Sequence, residues 1–171
     1  MIAILAEDTD FEPSSPYLFR PSQCGSGDVL SETDLHYMVF RSYVTLALSS
    51  TCVIGPRRLV PLFDFLVCVA RLITALRADR AYTLTFTEAA DVVEFRPVTG
   101  DRVEVAAIDP YRCDDHGIRL ADPEPDCLDQ VDRPELLEAL TGFLSYGRQQ
   151  LLDNVPRLDR SLYIGKLFVQ E

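Results

Sequence analysis

The sequence predicts an α+β fold in which an antiparallel sheet of about five strands carries two long helices packed on one face. Three observations carry that prediction. Between Tyr82 and Ala107, apolar and polar residues alternate with period two in three short runs joined by tight turns, the pattern of an antiparallel meander. Around residues 59–76 and 136–151, apolar residues instead recur at spacings of three and four, the pattern of helices with a buried stripe. The order strand, strand, helix, three strands, helix segregates the two element types, as α+β domains do.

Ile2 to Leu5 reads as a short edge strand, but from Glu7 to Asp34 acids alternate with Pro13, Pro16, Pro21, Gly25, Gly27 and serines. No apolar period survives there, so residues 1–35 form an acidic, loop-rich arm and residues 36–171 a single domain. Tyr17, Leu18 and Phe19 are its one apolar island, and docking on the core or on a partner is the expected use of such a cluster. From Tyr37 to Ile54, β-branched and aromatic residues predict two strands, about 38–48 and 51–54, with Gly55-Pro56 stopping the sheet. Leu59, Leu62, Phe63, Leu66, Val69, Ala70, Ile73 and Leu76 then predict a long helix over about 57–77, and Val60, Phe65, Val67 and Leu72 widen its stripe to more than one face.

After Asp79-Arg80, Tyr82, Leu84 and Phe86 alternate with threonines on one strand, Glu88 to Asp91 makes a turn, and Val93 and Phe95 lie on the next. Thr99-Gly100-Asp101 turns the chain into a third strand with Val103, Val105 and Ala107. Residues 109–131 lose the alternation, carry Pro110, Pro123 and Pro125, and read as an acidic loop with one strand-like run at Ile118-Arg119-Leu120. Asp132-Arg133-Pro134-Glu135 supplies an N-cap acid, an early Pro and an acid three residues after the cap. The helix it starts runs to about Asn154, burying Leu136, Leu140, Phe143, Leu144, Gly147 and Leu151. The tail from Leu158 to Val169 is apolar enough to pack back as a short helix or edge strand.

Charge is distributed unevenly. The formal net charge of −11 arises in two segments: residues 1–35 hold seven acids against Arg20, and residues 109–138 hold ten against Arg112, Arg119 and Arg133. The rest is nearly neutral. Such a surface repels phosphate backbones and attracts basic partners, and no Gly-rich phosphate loop is present, so direct nucleic-acid binding is excluded as an expectation. Five cysteines without a C-x-x-C pair read as reduced thiols in a cytoplasmic protein. Asp64 and Arg71 interrupt the greasy stretch from Leu59 to Leu76, which argues against a membrane helix, and the early Glu7 and Asp8 argue against a secretory signal. A single lysine, Lys166, against fifteen arginines indicates a GC-rich coding bias of the kind found in actinobacteria.

Candidate chemistry is sparse. Cys113 and His116, with Cys127 eleven residues after His116, offer two thiols and an imidazole, and a fourth zinc ligand would have to be an acid such as Asp126. The missing second pair favours unligated loop residues, so no metal and no cofactor are expected. Asp122, Glu124 and Asp126 alternate like calcium-loop oxygens, but Pro123 and Pro125 sit where that loop must curl, so they read as an extended acidic strip. Nucleophilic catalysis would need His36 or His116 as base, and neither lies near a nucleophile elbow; His36, at a strand entry, reads as structural. Asp64 sits among Pro61, Leu62, Phe63 and Phe65, so its carboxylate is expected to pair with Arg57, Arg58 or Arg71 or to face water.

The run Phe86-Thr87-Glu88-Ala89-Ala90-Asp91-Val92-Val93-Glu94-Phe95, followed by Glu135-Leu136-Leu137 through Gly142-Phe143-Leu144 and then Asn154-Val155-Pro156, resembles small uncharacterised α+β proteins of actinobacteria. Several such families are similar to immunity proteins of polymorphic toxin systems. The resemblance spans about residues 38–168 and brings no family site with it. What it implies, together with the charge map, is a non-enzymatic protein-binding protein: an immunity protein or antitoxin that blocks a basic toxin by electrostatic and steric occlusion. The residues expected to carry the contact are Asp114, Asp115, Asp122, Glu124, Asp126 and Asp129. Two other classes compete with it, a small metal-dependent or thiol enzyme using the Cys113 and His116 region, and a structural or regulatory subunit that binds through its apolar tail.

Overall fold

Alternation in Ser42 to Leu48 sends Val44, Leu46 and Leu48 inward, and this strand organises the first half of the chain. The computed structural model describes residues 2–7, 9, 35–36, 40–48, 51–86, 89–109, 125, 127–155, 158 and 163–167. Its elements are β1 (Ile2–Glu7), β2 (Arg41–Leu48), β3 (Thr51–Pro61), α1 (Leu62–Arg77), β4 (Tyr82–Phe86), β5 (Ala89–Val98), β6 (Arg102–Ile108), β7 (Cys127–Asp132) and α2 (Arg133–Asn154), followed by a 3₁₀ turn at Ile164–Leu167.

The α+β class holds, but the strands form two antiparallel sheets and not one sheet of about five. Sheet A has the order β1-β2-β3 and sheet B the order β4-β5-β6-β7. The physical reason lies in α1. Leu62, Phe63, Phe65, Leu66, Val67, Val69, Ala70, Leu72, Ile73, Ala75 and Leu76 are all buried, so the helix is apolar around most of its circumference and must be enclosed. It packs against β3, β4, α2 and the final 3₁₀ turn, which corrects the expectation of helices lying on one face of a sheet.

Gly55-Pro56 does not stop the sheet. Ile54 pairs with Leu46 and Arg58 with Val44, so residues 55–57 stand opposite Thr45 as a bulge and β3 continues to Pro61. Because β3 is an edge strand, its proline costs no shared ladder bond. The helix accordingly starts at Leu62, not near residue 57, with extended Pro61 in the cap position. No side chain caps it; the Leu62 amide donates to the Phe40 carbonyl at 2.8 Å, drawing the entry of β2 onto the helix start.

Sheet B follows the predicted meander, with Leu84, Val93, Phe95, Val103 and Val105 inward. β5 begins earlier than expected, at Ala89, opposite Phe86. The Thr99-Gly100-Asp101 turn places Gly100 at φ 78° and Asp101 at φ 56°, the left-handed region open to glycine and tolerated by aspartate. The end of the expected acidic loop is a strand: β7 pairs with β6 through Val103↔Val131, Val105↔Asp129 and Ala107↔Cys127.

β7 runs directly into α2. Asp132 caps the helix by accepting from the Glu135 amide at 3.1 Å, and Leu136, Leu140, Phe143, Leu144, Gly147 and Leu151 form its buried face. Gly147 is the crossing point with α1, where a Cβ would lie 2.6 Å from Leu66 Cδ2. In the tail, Leu158 and Leu167 are buried in the same core, and the 3₁₀ turn rests on α1.

Candidate functional site

The buried circumference of α1 is broken by one polar stripe. Asp64, Cys68 and Arg71 follow one another at spacings of four and three, so they share a face, with Asp64 and Cys68 half-buried and Arg71 exposed. Asp64 is met by His36, whose Nδ1 lies 2.6 Å from Asp64 Oδ1 with the two side chains 14% and 18% exposed. The imidazole also meets the Phe63 ring edge-on, at 5.3 Å between centroids. A hydrogen-bonding partner of Asp64 is thus a histidine 28 positions away in the chain, which the sequence expectation of an arginine (Arg57, Arg58 or Arg71) or water did not include. With Leu35 fully buried beside it, His36 fastens the segment ahead of β2 to the first turn of the helix. A carboxylate in that turn also complements the helix dipole.

One turn on, the stripe meets sheet B. Tyr82 on β4 comes beside Cys68, so that its hydroxyl can donate to the sulfur. Burial, reinforced by the negative charge of Asp64 and opposed by Arg71 and by the Tyr82 hydrogen bond, pushes the Cys68 thiol up to about 11. Burial, and then the charge the neighbouring sulfur would carry, pushes Tyr82 up to about 12. Both groups therefore hold their protons through the physiological range. An activated nucleophile needs the opposite environment, one that favours the thiolate. The chemistry this seam can perform is to retain protons and to tie the segment before β2, α1 and β4 together.

No known protein family, curated protein or solved structure matches the chain. Function must therefore be argued from the sites themselves.

Of the six acids expected to carry partner binding, Asp114, Asp115, Asp122, Glu124 and Asp126 lie outside the described residues, as do Cys113 and His116. Cys127 opens β7 opposite Ala107, so the two ends of the intervening acidic segment are neighbours in sheet B. Among the described residues no group of three or more His, Cys, Asp or Glu is placed to hold a metal ion. Asp129 stands half-buried opposite Val105, and its carboxylate accepts from the Gln130 amide at 2.8 Å. The Gln130 carbonyl accepts from the Arg102 guanidinium at 2.6 Å. Side chains thus satisfy both backbone groups of Gln130 on this edge strand. On the outward face of sheet B, Arg96 is held by Glu94 at 3.2 Å and by Glu104 at 3.3 Å.

Three large apolar side chains stand out among the described residues: Leu5 on β1 is 52% exposed, Leu128 on β7 59% and Tyr146 on α2 55%. Reasoning from sequence found neither these nor the His36–Asp64 and Cys68–Tyr82 pairs. The four- and three-residue spacing of Asp64, Cys68 and Arg71 in an otherwise apolar helix is the signal that marks the stripe; its partners are too distant in sequence to be read.

Proposed function

We propose that the protein is a non-enzymatic binding protein, of the immunity or antitoxin kind, that neutralises a basic partner through its acidic segments. The observation that carries this reading is where the exposed apolar side chains stand. Leu5 lies two residues before Glu7, on the strand from which the first acidic segment departs, and Leu128 lies on the strand into which the second returns. Tyr146 is on α2, which packs against β1 and continues directly from β7. Apolar anchors beside a charged rim are the composition of protein interfaces. The acids would speed encounter with a cationic partner and the anchors would hold it. No helix among the described residues is long and apolar enough to cross a membrane.

The test is capture of binding partners by the full chain at low salt, repeated with Asp114, Asp115, Asp122, Glu124, Asp126 and Asp129 reversed to lysine. Basic partners held by the parent and lost from the reversed chain, and lost from the parent at high salt, support the reading. Retention of the same partners by the reversed chain overturns it.

A further inference from the structure

We infer that the outer edge of β1 is a strand-addition site, filled by an extended segment of a basic protein that places an apolar residue beside Leu5 and its Lys or Arg residues toward Glu7. The inference rests on the protein-binding reading above and adds the mode of attachment. β1 pairs along its whole length with β2, from Ile2↔Leu48 to Glu7↔Tyr43, and among the described residues no strand pairs with its other side. Natural edge strands are usually blunted by lysine, proline or a bulge. Ile2 to Ala6 contains no charge and no proline, and β1 meets β2 without a register shift.

The β7 edge of sheet B shows what blunting looks like in the same molecule. In β7 the middle residue, Gln130, has its amide taken by Asp129 and its carbonyl by Arg102. Among the described residues no side chain takes the backbone groups of Ile2 to Ala6, and on β1 only the Glu7 carbonyl accepts from a side chain, Ser42 Oγ at 3.0 Å.

The face and the charge define the occupant. Ile2, Ile4 and Ala6 lie opposite the inward residues Leu48, Leu46 and Val44 and pack against the core, which fixes the register in which an added strand would extend both faces. Leu5, on the outward face, supplies the apolar neighbour. Acids begin where the strand ends, with Glu7 followed by Asp8, Asp10 and Glu12, and no basic residue intervenes before Arg20. An acidic segment is repelled there, and two copies of a chain of net charge −11 repel each other. A strand carrying Lys or Arg is matched, in the backbone-paired mode by which extended peptides add to sheet edges.

Amide hydrogen exchange of residues 2–7 in the full chain tests this, using as probe a synthetic peptide that alternates valine and threonine and ends in Arg-Lys, with a twin ending in Glu-Glu. The basic peptide should slow exchange of the amides of residues 2–7 that do not pair with β2 by at least about tenfold and the acidic twin should not. L5K, and independently A3K on the same outward face, should abolish the slowing while leaving the thermal midpoint in place. Equal slowing by both peptides, or none by either, overturns the inference. So does protection, before peptide is added, of those amides of residues 2–7 that do not pair with β2, whether it rises with protein concentration, which makes a second copy the occupant, or not, which makes the chain's own residues the occupant. Slowing that persists in the chain with six acids reversed supports the edge site even if partner capture fails. Capture that depends on the six acids with no slowing at β1 overturns the edge site alone.

Discussion

The two sheets end in edges of opposite character. Sheet B ends at β7 with an aspartate facing inward, a backbone whose middle residue is satisfied by side chains, and a direct run into the cap of α2. Its turns are also tied down: Arg133, next after β7, donates to Asp79 in the α1–β4 turn and to Asp101 in the β5–β6 turn, while its own amide donates to the Asp101 carbonyl. Sheet A ends at β1 with five uncharged residues and an exposed leucine. The lesson is that guarding an edge is local chemistry. The same fold carries one edge whose middle residue has both hydrogen-bonding groups taken up by side chains and one where, among the described residues, Ile2 to Ala6 have no such partners beside apolar surface.

The largest effect separates the centre of sheet B from the edge of sheet A. Phe95, fully buried on β5, should lose about 3–5 kcal/mol of stability as Phe95→Ala, by transfer and cavity terms together. Leu5→Ala should stay within about 0.5 kcal/mol, because its side chain already faces solvent. Urea unfolding of both variants measures the contrast, and comparable losses would erase it. Next comes the junction of β7 with α2. Asp132→Ala removes the acceptor for the Glu135 amide and should cost about 1 kcal/mol, with Asp132→Asn recovering most of it. An unchanged urea midpoint for the alanine variant would show that β7 holds the start of α2 without the cap.

Sheet B's other edge, β4, is tied to α1 through Tyr82 and Cys68, and this contact is sensitive to pH. Both groups have folded values above their ordinary ones, about 11 against 9.0 for the thiol and about 12 against 10.0 for the phenol. The native state therefore keeps protons that the unfolded chain releases. The resulting stability is fully present below pH 9 and is lost as pH rises toward 12. Urea midpoints across that range should fall in the parent and fall less in a Cys68→Ser, Tyr82→Phe chain; parallel curves would remove the assignment. At pH 8, alkylation of Cys68 should be about 100-fold slower than that of a free thiol, in proportion to its thiolate fraction.

How much of this was legible in the sequence follows from how local each feature is. α2 was fully legible, since its cap, its proline and its six buried positions all lie within one periodic run, and the structure buries each of those six. β4, β6 and the part of β5 beyond its first residues were legible for the same reason. The division into two sheets was not, because period-two alternation says which residues face inward and nothing about which strands are neighbours. The width of the α1 stripe held that information: a helix apolar on most sides has to be surrounded. The continuation of β3 beyond Ile54 was hidden by Gly55-Pro56, which an edge strand accommodates as a bulge, and β7 by Asp129, a charged residue at an inward position. The partners of Asp64 and Cys68 lie on other elements, so only the fold supplies them.

The smallest effect on stability is also the sharpest test of the contrast between the edges. Replacing Asp129 and Arg102 together by alanine strips the side-chain partners from Gln130 while removing one negative and one positive charge, so the net charge stays at −11. Both residues lie at or near the surface, and the loss in stability should be no more than about 1 kcal/mol. What should change is association. With its amide and carbonyl released, β7 becomes a template for a second copy once salt screens the repulsion between chains, and sedimentation at high salt should show concentration-dependent dimers beyond any the parent forms at equal ionic strength. Because charge is conserved, weaker repulsion cannot account for them. Adding Leu128→Lys to the double variant should reverse the dimerisation, since it supplies the edge lysine that β7 lacks. A double variant that associates no more than the parent would mean that the side-chain caps do not guard β7, and the difference drawn between the two edges would fall with them.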